Sequence, residues 1–153
     1  MGSTAAVTER NIAQFSADVH GNIELNTITF NVGNSGFDTT SGSNFAVINP
    51  ILRVGGSQVS GSNCTTDGTS IVTCSFGSGY SSDYPISAGS AVTFGLFATV
   101  NGSVNTSAIA AVSSTVTPAG FIWDDASTNG VSGTGFNGNL IFGFPTNSYT
   151  NHQ

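Results

Sequence analysis

The sequence predicts an all-β fold, an antiparallel β-sandwich, on three observations. Apolar and polar residues alternate along most of the chain, the pattern of half-buried strands. Turn dipeptides, Gly55-Gly56, Asp67-Gly68 and Asn101-Gly102, fall between the alternating runs. No segment holds a helical period beyond one turn, so no helix has an apolar face to offer a core.

The first strand is expected from Ala13, with Ala13, Phe15, Ala17 and Val19 on one face and Gln14, Ser16, Asp18 and His20 on the other. Gly21-Asn22 turns the chain. Ile23 and Leu25 then share one phase while Ile28, Phe30 and Val32 take the opposite one, which predicts a bulge near Asn26-Thr27. Residues 33–44 read as a long loop. A strand over residues 45–49 is interrupted by Pro50, which has no N–H for a ladder, and resumes over 51–54 before the Gly55-Gly56 hairpin. Residues 62–66 and 69–76 flank Asp67-Gly68 as a second hairpin, with Val72, Cys74 and Phe76 on one face. Residues 77–85 are turn-rich. The clearest alternation follows in Val92, Phe94, Leu96, Ala98 and Val100, and another runs over residues 106–116. After Pro118 come Phe121-Ile122-Trp123, a glycine- and asparagine-rich loop over 127–139, and a last strand over 140–144. The total is about eight to ten short strands in an Ig-like or jelly-roll-like sandwich.

The chain of 153 residues is long enough for one domain with its own core. Residues 8–149 read as that single sandwich, residues 1–7 as an expression remnant or N-terminal extension, and residues 150–153 as a tail. Met1-Gly2-Ser3-Thr4 lacks the regions of a signal peptide, so an export signal and neighbouring domains are expected to lie outside this chain. No run of about 20 apolar residues predicts membrane insertion.

Charged residues make up only 7% of the chain, and the polar surface is expected to consist of hydroxyls and amides. There is no lysine, and two arginines, Arg10 and Arg53, stand against eight carboxylates, for a net charge of −6. Nucleic acid is therefore not an expected partner, since phosphate binding needs clustered cations. The missing lysine also excludes Lys-to-Asn isopeptide cross-links. Cys64 and Cys74 lie close in sequence without a nearby histidine, which excludes a four-ligand zinc site from this chain. They read as a disulfide, which points to an oxidising, extracellular compartment, with two buried free thiols as the alternative.

No enzyme is expected. The string Gly133-Thr134-Gly135-Phe136-Asn137-Gly138 has dinucleotide-fingerprint spacing but no following helix pattern. His20 beside Asp18 is the one histidine near a carboxylate in sequence, and both fit a solvated strand face. Asp124-Asp125, the adjacent acidic pair, would alternate faces on a strand, which does not suit facing acid and nucleophile. The pair is instead a candidate calcium site together with loop carbonyls. A candidate carbohydrate site is formed by Tyr80, Asp83 and Tyr84, where flat aromatics beside a carboxylate could hold a pyranose. Trp123 is expected in the core. Three sequons, at Asn63, Asn101 and Asn105, are expected by chance in so polar a chain.

Residues 12–17 followed by 22–32 (Ile-Ala-Gln-Phe-Ser-Ala and Asn-Ile-Glu-Leu-Asn-Thr-Ile-Thr-Phe-Asn-Val) and residues 86–94 (Ile-Ser-Ala-Gly-Ser-Ala-Val-Thr-Phe) carry a resemblance to a known kind of domain. Together with Phe121-Ile122-Trp123-Asp124-Asp125 and Gly143-Phe144-Pro145-Thr146, they resemble Ig-like β-sandwich domains in large secreted surface proteins of Patescibacteria, the candidate phyla radiation. The resemblance spans about residues 11–149. It implies export and a structural or adhesive role in a longer surface or filament protein, with other subunits or surface glycans as partners, and it brings no catalytic residue. The chain departs from that pattern in lacking lysine and in carrying Cys64 and Cys74.

Overall fold

A computed structural model of the chain describes residues 7–37, 45–76, 84–102, 110–125, 136–137 and 149–152. Among these residues there are eleven strands and no helix: β1 (Val7–Val19), β2 (Ile23–Ser35), β3 (Ala46–Val54), β4 (Ser57–Gln58), β5 (Ser62–Thr66), β6 (Ile71–Phe76), β7 (Tyr84–Ile86), β8 (Ser90–Asn101), β9 (Ala111–Asp125), β10 (Phe136–Asn137) and β11 (Tyr149–His152). All pairings are antiparallel. One sheet has the order β1-β8-β3-β4, and the second runs β10-β9-β2-β6-β5, with β7 beside β6 on β2 and β11 beside β10 on β9. The predicted β-sandwich is thus the observed class.

Strand lengths differ from expectation. β3 and β9 run unbroken for 9 and 15 residues, because the irregularities at Pro50 and Pro118, which sequence reading treats as breaks, are absorbed as bulges. In β2 the register against β9 moves from Leu25↔Trp123 to Thr27↔Ile122, so Asn26 is the extra residue and the predicted bulge is where the phase change requires it. In β3 the shift between Ile48 and Ile51 places Asn49, with φ of 52°, and Pro50 outside the ladder, where the missing proline N–H costs nothing. In β9 residues 117–120 loop out opposite Thr29, which lets the strand pass Pro118 rather than end there. Gly120 is needed at that point, since a Cβ would stand 2.6 Å from the Thr29 carbonyl oxygen.

Further boundaries move, beginning with β1, which starts at Val7 rather than at the expected Ala13. β2 continues to Ser35, three residues into the expected loop, because Val32 through Ser35 still find partners on β9. β11 pairs Tyr149–His152 with β9, so the sheet extends past the expected end of the domain at residue 149 into the expected tail. The expected strand over 140–144 lies outside the described residues.

The chain passes between the two sheets repeatedly, and two of these crossings lie at residues 20–22, between β1 and β2, and at 87–89, between β7 and β8. The side-chain oxygen of Asn22 accepts a 2.8 Å hydrogen bond from the Ala88 N–H, tying the two crossings together. Gly55 and Gly56, both with positive φ (57° and 85°), make the predicted β3–β4 hairpin turn. The β5–β6 connection is longer than a two-residue turn: Asp67 N–H bonds to Ile71 O at 3.1 Å, leaving residues 68–70 at the tip.

The inner faces meet in a core that includes Phe30, Phe76, Phe94 and Phe121, all essentially inaccessible to solvent. Phe15 bridges the layers, with ring centroids 5.3 Å from Phe94 on its own sheet and 6.1 and 6.2 Å from Phe30 and Phe121 on the other. Truncating any one of the buried phenylalanines to alanine costs about 3–5 kcal/mol by cavity formation. One buried polar residue, Ser114, stands among the described residues. The β1 register jumps from Asn11↔Phe97 to Ala13↔Leu96, so Ile12 is a bulge whose carbonyl has no place in the ladder. Ser114 on β9 donates to that carbonyl at 2.6 Å, joining the two sheets at one edge. At the other edge Val47 N–H on β3 donates to Gly68 O at 3.0 Å.

Candidate functional site

Cys64 and Cys74 are directly opposite on β5 and β6 and form a disulfide, which settles the pair against free thiols. Cys74 is fully buried in the core and Cys64 partly so, which places the bridge between the edge strand and the inner layer. The turn above it is organised by one carboxylate. Asp67 Oδ1 accepts hydrogen bonds from the N–H groups of Ile71, Thr69 and Ser70 at 2.9, 2.8 and 2.7 Å, and Oδ2 accepts from Ser70 Oγ at 2.8 Å. These donors, first the Ile71 N–H, hold the carboxyl well below the usual carboxylate range.

Of the candidate sugar-binding trio, Tyr80 and Asp83 lie outside the described residues. Tyr84 opens β7, half-buried, with its ring 5.7 Å from Phe76 and 5.6 Å from Phe94, two fully buried core side chains. Its ring is part of the core's rim.

Asp124 and Asp125 end β9 on opposite faces, as alternation requires. Asp125 faces Ile23 and Asp124 faces Glu24 across the β2–β9 ladder. The Glu24–Asp124 pairing places two carboxylates on one outer face, a juxtaposition that residues a hundred positions apart do not announce in sequence. Among the described residues no three metal-ligating side chains converge there or elsewhere. Asp18 and His20 are both exposed at the end of β1, and Trp123 packs partly buried against the core.

The outer face of the β1-β8-β3-β4 sheet carries a groove that sequence reading does not indicate. Its cavity volume is about 240 Å³, lined by Asn11 and Gln14 on β1, Thr93, Gly95 and Phe97 on β8, and Arg53, Gly55 and Gly56 on β3 and its hairpin turn. Gly95 forms the floor because the central strand has no Cβ there, and the edge of the Phe97 ring leans in so closely that a Cβ would lie 3.0 Å from it. Arg53 stacks on Phe97 with its guanidinium carbon 5.0 Å from the ring centroid. One end nitrogen of Arg53 donates to Glu9 Oε2 at 2.9 Å and the other to the Gly56 carbonyl at 3.4 Å, whereas its buried Nε has no acceptor. Gln14 is exposed and accepts a long 3.5 Å bond from Asn11 Nδ2, and Thr93 shares a 2.7 Å hydrogen bond with Ser16. The sequence signals, visible in retrospect, are a glycine inside the strongest alternation and an arginine within a strand.

The strand that borders this groove, β1, is the end of its sheet: among the described residues it pairs with β8 alone. No protein-family model, curated protein or solved structure matches the chain. Among the described residues no helix is long and apolar enough to cross a membrane.

Proposed function

We propose that this chain is a non-enzymatic structural and adhesive module of an extracellular surface or filament protein, of the kind its sequence resembles, and that copies of it assemble through sheet edges. The observation that carries the reading is β1, a 13-residue strand at the end of its sheet. Half of an end strand's backbone groups point away from its neighbour and can accept another strand. Soluble proteins commonly protect such edges with lysine or proline, and residues 11–17 of β1 hold neither and carry no charge. Among the described residues β9 and β11 approach β1 and Ser114 bonds to Ile12, and residues 13–19, in which Asp18 is the one charge, form the docking segment. Among the described residues the single exposed large apolar side chain is Ile71, so the contact relies on backbone pairing rather than on an apolar patch. The Cys64–Cys74 bridge supports an oxidising, extracellular setting.

Analytical ultracentrifugation and negative-stain microscopy over a concentration series test the reading. Concentration-dependent oligomers or fibres are expected, and Ser16→Lys with Asp18→Lys, which puts two cations on the exposed side of the edge, is expected to abolish them. A wild-type chain that stays strictly monomeric at high concentration overturns the proposal.

A further inference from the structure

We infer that the groove over Gly95 is a binding site for a single pyranose unit of a glycan. The inference rests on the adhesive part of the reading above and gives it a ligand. It places a carbohydrate site on the outer face of the β1-β8-β3-β4 sheet, at residues other than the aromatic loop expected in sequence.

Size comes first. A cavity of about 240 Å³ is smaller than drug-sized pockets, and it accommodates one sugar ring rather than a peptide or a nucleotide. Shape follows from the glycines. Gly95 lowers the floor of the central strand, and the Gly55-Gly56 turn keeps one wall free of side chains, so a ring can lie close to backbone. A strand interior is otherwise a costly place for glycine, because it leaves a gap in the packed face.

The lining chemistry then selects the class. Asn11 and Gln14 amides, the Thr93 hydroxyl and the Arg53 guanidinium place donors and acceptors side by side, which suits adjacent sugar hydroxyls. The exposed Gln14 side chain accepts the long bond from Asn11 through its oxygen and keeps its amide N–H groups to offer a ligand. An oxygen-rich ligand supplies acceptors for such donors. Arg53 is held in advance by Phe97 beneath it and by Glu9 beside it, so its planar fork loses little freedom when a ligand arrives. With Glu9 paired to Arg53, the guanidinium charge is locally balanced, which favours a neutral hydroxylated ring over a strongly anionic one.

The test is a ¹⁵N heteronuclear NMR titration of the whole chain, at a concentration where it is monomeric, with glucose, galactose, N-acetylglucosamine and galacturonic acid. Expected are millimolar-range shifts confined to the amides of Gly95, Gly55 and Gly56 and to the Gln14 and Arg53 side chains. Gln14→Ala and Arg53→Lys should each weaken binding about tenfold without changing the dispersion of the remaining spectrum. Gln14 is exposed, so its truncation leaves the fold intact and the result interpretable. Absence of shifts with all four sugars, or shifts that cluster around Tyr84, overturns the inference. A chain that binds sugar in this groove yet stays monomeric at high concentration sinks the assembly reading alone, whereas an assembling chain with a silent groove sinks only the site.

Discussion

Cys64 and Cys74 meet across a chain separation of 10 residues, whereas Ser16 and Thr93 meet across 77, although both are direct partners in antiparallel ladders. The β5–β6 hairpin is a local object: one carboxylate shapes its turn, one covalent bond closes its strands, and few residues need be ordered to form it. The β1–β8 pair is a global object. It is supported by the core packed around Phe15 and Phe94 and by Ser114 of the opposite sheet, which caps the Ile12 carbonyl. Closing the larger loop carries the greater entropy cost, and long-range burial must offset it. The difference teaches that this sandwich has one self-sufficient corner and one edge whose order depends on everything else.

Three variants probe that contrast. Replacing both cysteines by alanine is expected to destabilise the chain by about 2–3 kcal/mol, as urea unfolding would measure, because the unfolded hairpin regains its freedom. Amide exchange should quicken first in β5 and β6. Equal loss of protection across β1 and β8 would show that the hairpin is not a separate unit. Ser114→Ala should cost about 1–3 kcal/mol, since it strands a buried carbonyl. Here the faster exchange is expected along β1 near Ile12, with β5–β6 unaffected, and an undisturbed β1 would deny the serine its capping role. Asp67→Asn is the mildest change and carries a pH signature. The folded carboxyl sits below its ordinary value of about 3.9, so its contribution is complete above that pH and fades as the pH falls toward the lower folded value. The melting temperature of the variant should therefore trail the native chain at neutral pH and converge with it as the solution is acidified below about pH 4. A gap that persists unchanged into acid would mean that the charge on Asp67 is not what organises the turn.

What could be read from sequence divides along the same line. The alternation in Val92 through Val100, the Gly55-Gly56 turn, the cysteine pair and the bulge at Asn26 are all written in neighbouring residues, because backbone periodicity and turn chemistry are local. Pro50 and Pro118 mislead for the same reason: locally each reads as a break, but a partner strand can absorb the irregularity. The stacking of Arg53 on Phe97, the facing of Glu24 and Asp124, and the bond from Ser114 to Ile12 depend on register between distant strands, and no local rule supplies it. The groove was hidden twice over, since its floor is an absence of side chain and its walls come from three strands.

The near-absence of cations has one more consequence. A trypsin-like protease can recognise two peptide bonds in this chain, after Arg10 and after Arg53, and both arginines lie inside paired strands, β1 and β3. Cleavage at either position has to wait for the strand to leave its sheet, and Arg53 must also abandon Glu9 and Phe97. Composition alone removes most of the points such a protease could cut, and pairing shields the two that remain.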